Sequence, residues 1–113
     1  MVTHASQEEG KIDPRAQLLH RKLHRDFRYQ SLQVLEQRQI RLSMDEIGQM
    51  QLPTGSLLKL RPLNLSGDRV LVAVEVGRMR TDLRMKNKKI VILSDPKGYE
   101  SGGRIVISFE PSF

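Results

Sequence analysis

The chain has 113 residues, with no cysteine or tryptophan, 38% hydrophobic and 4% aromatic residues, and a net charge of +6. This length fits one domain with an aliphatic core, and the composition excludes disulfide staples, thiolate metal sites and a cysteine nucleophile. No stretch approaches the roughly 20 apolar residues of a membrane span, and the positive balance suits acidic partners (nucleic acid, anionic lipid or an acidic protein surface), with the plainer reading of charge kept for solubility standing equally beside it.

Residues 1–11 read as a flexible, polar N-terminal arm, and 12–113 as a single β-rich domain. Met1 to Gly10 holds no apolar export signal. The polar lead Thr3, His4, Ala5, Ser6 and Gln7 suits either a disordered arm or a chain cut just after a removed signal. A helix is predicted over 13–26. Asp13 is a good N-cap, and Pro14 falls at the first helical position, where its missing N–H costs nothing. Ile12, Ala16, Leu19, Leu23 and Phe27 form one apolar stripe. Arg15, Arg21, Lys22, Arg25 and Arg28 occupy the other face.

From Tyr29 the period changes to two. Strands are predicted near 29–36, at Ile40–Met44 and around 49–52, followed by a Pro53-Thr54-Gly55 turn. In strand 56–65 the apolar parity switches between Leu58/Leu60 and Leu63/Leu65, which places a bulge at Pro62. After Ser66-Gly67-Asp68, strand 69–76 aligns Val70, Val72, Val74 and Val76 on one face. Its partly apolar other face marks it as central. Gly77 breaks or bulges the chain before a strand carrying Met79, Thr81, Leu83 and Met85 on one face. A Lys86-Asn87-Lys88 turn, an apolar run 90–93, a loop from Asp95 to Gly103 and a last strand with Ile105, Ile107 and Phe109 complete the chain. About seven short strands without helical crossovers predict a mostly β (α+β) fold: an antiparallel β-sandwich or open barrel with one N-terminal helix, which caps an open end or a sheet face.

Chemistry-bearing patterns are sparse. His20 and His24, four apart on the helix, could share a metal with His4 as a third ligand, but they sit among cations without a placed carboxylate, so no metal site and no cofactor is expected. His24-Arg25-Asp26 matches the first letters of a kinase catalytic loop without any of the accompanying motifs. Ser101-Gly102-Gly103-Arg104 is followed by a strand, whereas a phosphate cradle needs a helix there, so it reads as a positive-φ hairpin connection. Glu36, Asp45, Glu46, Glu75, Asp82 and Asp95 could act as general acids, but spacing pairs none of them with a base. The expectation is therefore a non-enzymatic protein.

The basic residues form the sharper pattern. Arg78, Arg80, Arg84 and Lys86 share one strand parity with Asp82 between them, and join Arg21, Arg25 and Arg28 of the helix as candidate partner-binding residues. Against this stands the plain alternative of a solvated strand face, or of cations guarding a sheet edge against pairing with other chains. Aromatic stacking residues, the usual companions in a nucleic-acid platform, do not interleave with this strand.

Three segments carry a resemblance: Phe27-Arg28-Tyr29-Gln30-Ser31-Leu32-Gln33-Val34-Leu35 after the helix; Leu52-Pro53-Thr54-Gly55-Ser56-Leu57-Leu58-Lys59-Leu60-Arg61-Pro62; and Thr81-Asp82-Leu83-Arg84 leading into Lys89-Ile90-Val91-Ile92-Leu93 and Gly102-Gly103-Arg104-Ile105-Val106-Ile107. Together, from Leu18 to Phe109, they resemble a short β domain of exported proteins of Gram-negative bacteria, and the last is loosely similar to strand pairs of secretin-type secretion components. The resemblance implies an assembly or protein-interaction module of the bacterial envelope, or of a secretion or motility machine, with an acidic protein surface as partner. Its location would be the periplasm or envelope if an export signal was removed, and otherwise the cytoplasm. The alternative is a small basic nucleic-acid-binding protein.

Overall fold

The computed structural model describes residues 1–6, 10, 12–23, 31–98 and 102–113. Two antiparallel four-stranded sheets form a β-sandwich, with a short helix laid on one outer face. The strands are β1 (Val2–Ser6), β2 (Ser31–Glu36), β3 (Gly48–Gln51), β4 (Leu57–Ser66), β5 (Arg69–Val76), β6 (Met79–Lys86), β7 (Val91–Ser94) and β8 (Arg104–Phe109). Sheet A has the order β2-β1-β8-β7 and sheet B the order β3-β4-β5-β6. Sheet B is a sequential meander. Two-residue turns join β4 to β5 and β5 to β6, with Gly67 at φ 61° and Gly77 at φ 60° as first central residues. Such tight hairpins need a positive φ there, which glycine adopts without strain.

Sheet B turns Leu58, Val70, Val72, Val74, Val76 and Met85 inward against Val2, Ile105 and Ile107 of sheet A, and these side chains form one buried cluster. Ala5, Leu32, Val34 and Val106 leave sheet A on its other face and pack with Ala16 and Leu19 of the helix. The molecule thus has three layers: helix, sheet A, sheet B. The helical segment is a 3₁₀ turn, Pro14–Ala16, running into α1 (Gln17–Leu23). Asp13 is its N-cap, accepting from the Arg15 N–H at 3.0 Å. Ala16 and Leu19 are buried as their spacing predicts; positions 24–26 of the expected helix, with Arg25, and the following Phe27 and Arg28 lie outside the described residues.

Two expectations are corrected. The arm at 1–11 is not a free arm at its start: Val2–Ser6 is an interior strand of sheet A, paired on both sides, with Val2, Thr3 and Ala5 buried. The segment 40–44 is not a strand. Its alternating Ile40, Leu42 and Met44 find no ladder partner, and Ile40 and Leu42 lie instead against Gly48. The Pro62 bulge is present, since the β4–β5 register shifts between Pro62 and Asn64. The Pro62 carbonyl accepts from the Asp45 N–H at 2.7 Å. Its backbone therefore faces away from β5, where a missing N–H breaks no ladder bond.

Candidate functional site

In β6 the even positions face outward. Arg80, Asp82, Arg84 and Lys86 are exposed, while Met79, Thr81, Leu83 and Met85 turn toward the core. Arg78 is exposed in the preceding turn and not on the strand. Pairing extends this face across the sheet, because residues directly opposite on neighbouring strands share a side. Arg80 opposes Glu75, which opposes Lys59, which opposes Gln49. Asp82 opposes Ala73 and then Arg61. Lys86 opposes Arg69. The outer face of sheet B thus gathers Lys59, Arg61, Arg69, Arg80, Arg84 and Lys86 against Glu75 and Asp82.

Among the described residues four ion pairs lie on or beside this face. Arg80 Nε lies 3.2 Å from Glu75 Oε1 and Arg61 Nη2 lies 3.3 Å from Asp45 Oδ1. Asp68 sits 3.9 Å from Arg69 and 3.8 Å from Lys86. Exposed pairs of this kind are worth about 0–1 kcal/mol, so they hold the cations in place without consuming them. Arg80 keeps 80% of its side chain exposed, and Arg84 has no ion-pair partner among the described residues. Six cations against Glu75 and Asp82 leave the strand residues of this face with a net positive charge, which favours an acidic surface laid on it.

The structure does not bring the helix cations to this face. Arg21 is exposed on α1, which covers the opposite side of sheet A, so the two basic groups lie on opposite outer surfaces of the three layers. Sequence parity found Arg80, Arg84 and Lys86. It missed Lys59, Arg61 and Arg69, whose odd positions in 57–76 were visible but whose neighbours depend on pairing register.

A second polar cluster is internal. Asp95 is buried beside Thr54 and Ser56. Thr54 Oγ1 donates to Asp95 Oδ2 at 2.5 Å, and Ser56 Oγ and the Lys97 N–H donate to Oδ1 at 3.4 and 2.9 Å. Among the described residues every donor to this carboxylate is a hydroxyl or an amide. Its work is to tie the β3–β4 turn of sheet B to the loop leaving β7 of sheet A. The other candidate acids stay apart: Glu36 pairs with Arg38, Asp45 with Arg61 and Glu75 with Arg80, while Glu46 accepts from the Ser43 N–H. His20 is half-buried on α1, and His24 lies outside the described residues. His4 is elsewhere, its Nε2 donating to the Gly102 carbonyl at 2.7 Å. Gly102 and Gly103 take φ of 90° and 78° in the connection to β8, in keeping with its reading as a hairpin loop. Among the described residues no three His, Cys, Asp or Glu side chains gather into a metal-holding group, and no helix is long and apolar enough to cross a membrane. No protein-family model, curated protein or solved structure matches this chain.

Proposed function

We propose that this chain is a non-enzymatic protein-interaction module that docks an acidic surface of a partner protein on the outer face of sheet B. The observation that carries the reading is the six-cation face, with its two carboxylates, on an antiparallel four-stranded frame. Protein is favoured over nucleic acid because, among the described residues, no aromatic side chain stands on that face to stack bases. A role in an envelope or secretion assembly is part of the proposal and draws on the sequence resemblance alone.

The test is the charge-reversed variant R80E/R84E, compared with the natural chain for binding to immobilised polyglutamate and to a duplex DNA oligonucleotide over a salt series. Both positions are exposed, and reversal at Arg80 sets a carboxylate opposite Glu75, so unfolding should move by no more than about 1 kcal/mol. The expected result is polyglutamate retention that is lost in the variant. DNA affinity that exceeds polyglutamate affinity and falls steeply with salt supports the nucleic-acid alternative. Aggregation of the variant without any partner assigns these cations to edge protection.

A further inference from the structure

A two-sheet sandwich has four edge strands, and each presents alternate backbone N–H and C=O groups to solvent. In this molecule they are treated differently. On β2 the Leu32 carbonyl accepts from the Asp13 N–H at 2.8 Å. The Val34 N–H donates to Asp13 Oδ2, and the Val34 carbonyl accepts from Arg15 Nη2, each at 3.3 Å. That edge is plugged. On β6 the outward backbone belongs to Arg80, Asp82, Arg84 and Lys86, so every free group is flanked by charge. On β3 it belongs to Gln49 and Gln51, both polar and exposed. On β7 the Asp95 N–H donates to the Ile105 carbonyl at 2.9 Å, so Leu93 and Val91 also face β8 while Ile92 and Ser94 face outward. This edge, Val91-Ile92-Leu93-Ser94, carries no charge and no plug among the described residues. The Ser94 hydroxyl is buried and has no hydrogen-bond partner among the described residues.

We propose that β7 is an acceptor edge for an extended peptide segment of a partner protein, one with an apolar centre and acidic ends, which adds to sheet A as a fifth strand. The outward N–H and C=O of Ile92 and Ser94 supply the main-chain bonds. Lys88 and Lys89 precede the strand and Lys97 follows it. All three are exposed, and none has an ion-pair partner among the described residues. The acceptor is thus uncharged in the middle with exposed lysines at both ends, and the Asp95 carboxylate next to Ser94 is buried and turned to Thr54 and Ser56. A second copy of this chain fits less well. The two-fold antiparallel register that pairs Ile92 with Ser94 of the copy uses all the free groups but sets Lys89 opposite Lys97. This site is separate from the outer face of sheet B and does not depend on it.

The probe is a fluorescent synthetic peptide of alternating valine and threonine with two aspartates at each end, with a lysine-ended peptide as control. It is titrated into the full chain and followed by anisotropy and by amide hydrogen exchange. The expected result is saturable binding of the acid-ended peptide with slowed exchange at Ile92 and Ser94. Ser94→Pro, which removes an outward N–H that no ladder bond uses, should weaken binding at least tenfold. The triple variant K88E/K89E/K97E, whose positions are exposed, should exchange preference to the lysine-ended peptide even if the proline variant is poorly folded. R80E/R84E should bind the peptide as the natural chain does. Absence of binding at millimolar peptide overturns the proposal, as does protection elsewhere than Ile92 and Ser94. A dimer in sedimentation that Ser94→Pro dissolves assigns the edge to a second copy and overturns the peptide as occupant.

Discussion

Sheets A and B have the same number of strands, yet their sequences are written in different alphabets. Sheet A is covered on both faces, by sheet B and by the helix, and its β8 buries Ile105, Val106 and Ile107 in succession. Sheet B is covered on one face. Its β5 buries only the even positions Val70 to Val76 and leaves Leu71, Ala73 and Glu75 half-buried. The difference teaches that period-two alternation reports how many faces a sheet buries, and that a run of consecutive apolar residues marks a strand between two layers.

The largest effects should come from breaking sheet A on either face. Ile107→Ala empties a fully buried site against sheet B and should cost about 2–5 kcal/mol in denaturant unfolding. Val106→Thr keeps the shape but buries a hydroxyl under the helix, at about 1–3 kcal/mol. Ala73→Thr, on the open face of sheet B, should stay within about 0.5 kcal/mol of the natural chain. Equal costs for Val106→Thr and Ala73→Thr would mean that the helix does not cover sheet A in solution.

The same contrast explains which features were legible. The meander β4–β5–β6 was readable because one-sided burial produces clean alternation, and because Gly67 and Gly77 mark its turns. β1 was not. Its neighbours are β2 and β8, beyond the helix and at the far end of the chain, and Thr3, His4 and Ser6 give a polar reading that only two-sided pairing overrules. Ile40, Leu42 and Met44 carry the alternation of a strand without a partner to complete one, since a period specifies a face and not a neighbour. At the candidate face, the charges of β6 could be read from parity alone. Lys59, Arg61 and Arg69 required the register. The distance of Arg21 from that face required knowing which side of sheet A the helix covers, and no local pattern encodes that.

The joint between the sheets gives the next effect. Asp95→Ala leaves the buried Thr54 hydroxyl and the Lys97 N–H without their acceptor. A buried donor stranded in this way costs about 1–3 kcal/mol. Because Thr54 and Ser56 belong to sheet B while Asp95 leaves sheet A, the loss should appear first as faster amide exchange in residues 52–56, ahead of global unfolding. Uniform acceleration across both sheets would show that the two do not separate at this joint.

The smallest effect belongs to the plugged edge of sheet A, and its signature is a pH dependence. The side-chain hydrogen bonds from Arg15, then the Arg15 N–H and the Val34 N–H, lower the Asp13 carboxyl from its ordinary 3.8 to about 2. A carboxyl whose value is lower in the folded chain than in the unfolded one binds its proton more readily after unfolding. Its stabilising contribution is therefore complete above 3.8 and fades as the pH falls toward 2. Asp13→Asn keeps a good N-cap residue, so the helix start survives, but it removes the charge that Arg15 grips. The stability difference between the natural chain and the variant should be constant near neutral pH and shrink toward zero as the pH falls through that window, measured by thermal unfolding at closely spaced pH values. Subtracting the variant cancels the titration of the other carboxylates. Exchange of the Val34 amide should quicken over the same range, because protonation loosens the side chain that covers it. A difference that stays flat down to pH 2 would mean that Asp13 guards the β2 edge by shape alone and that its charge contributes nothing.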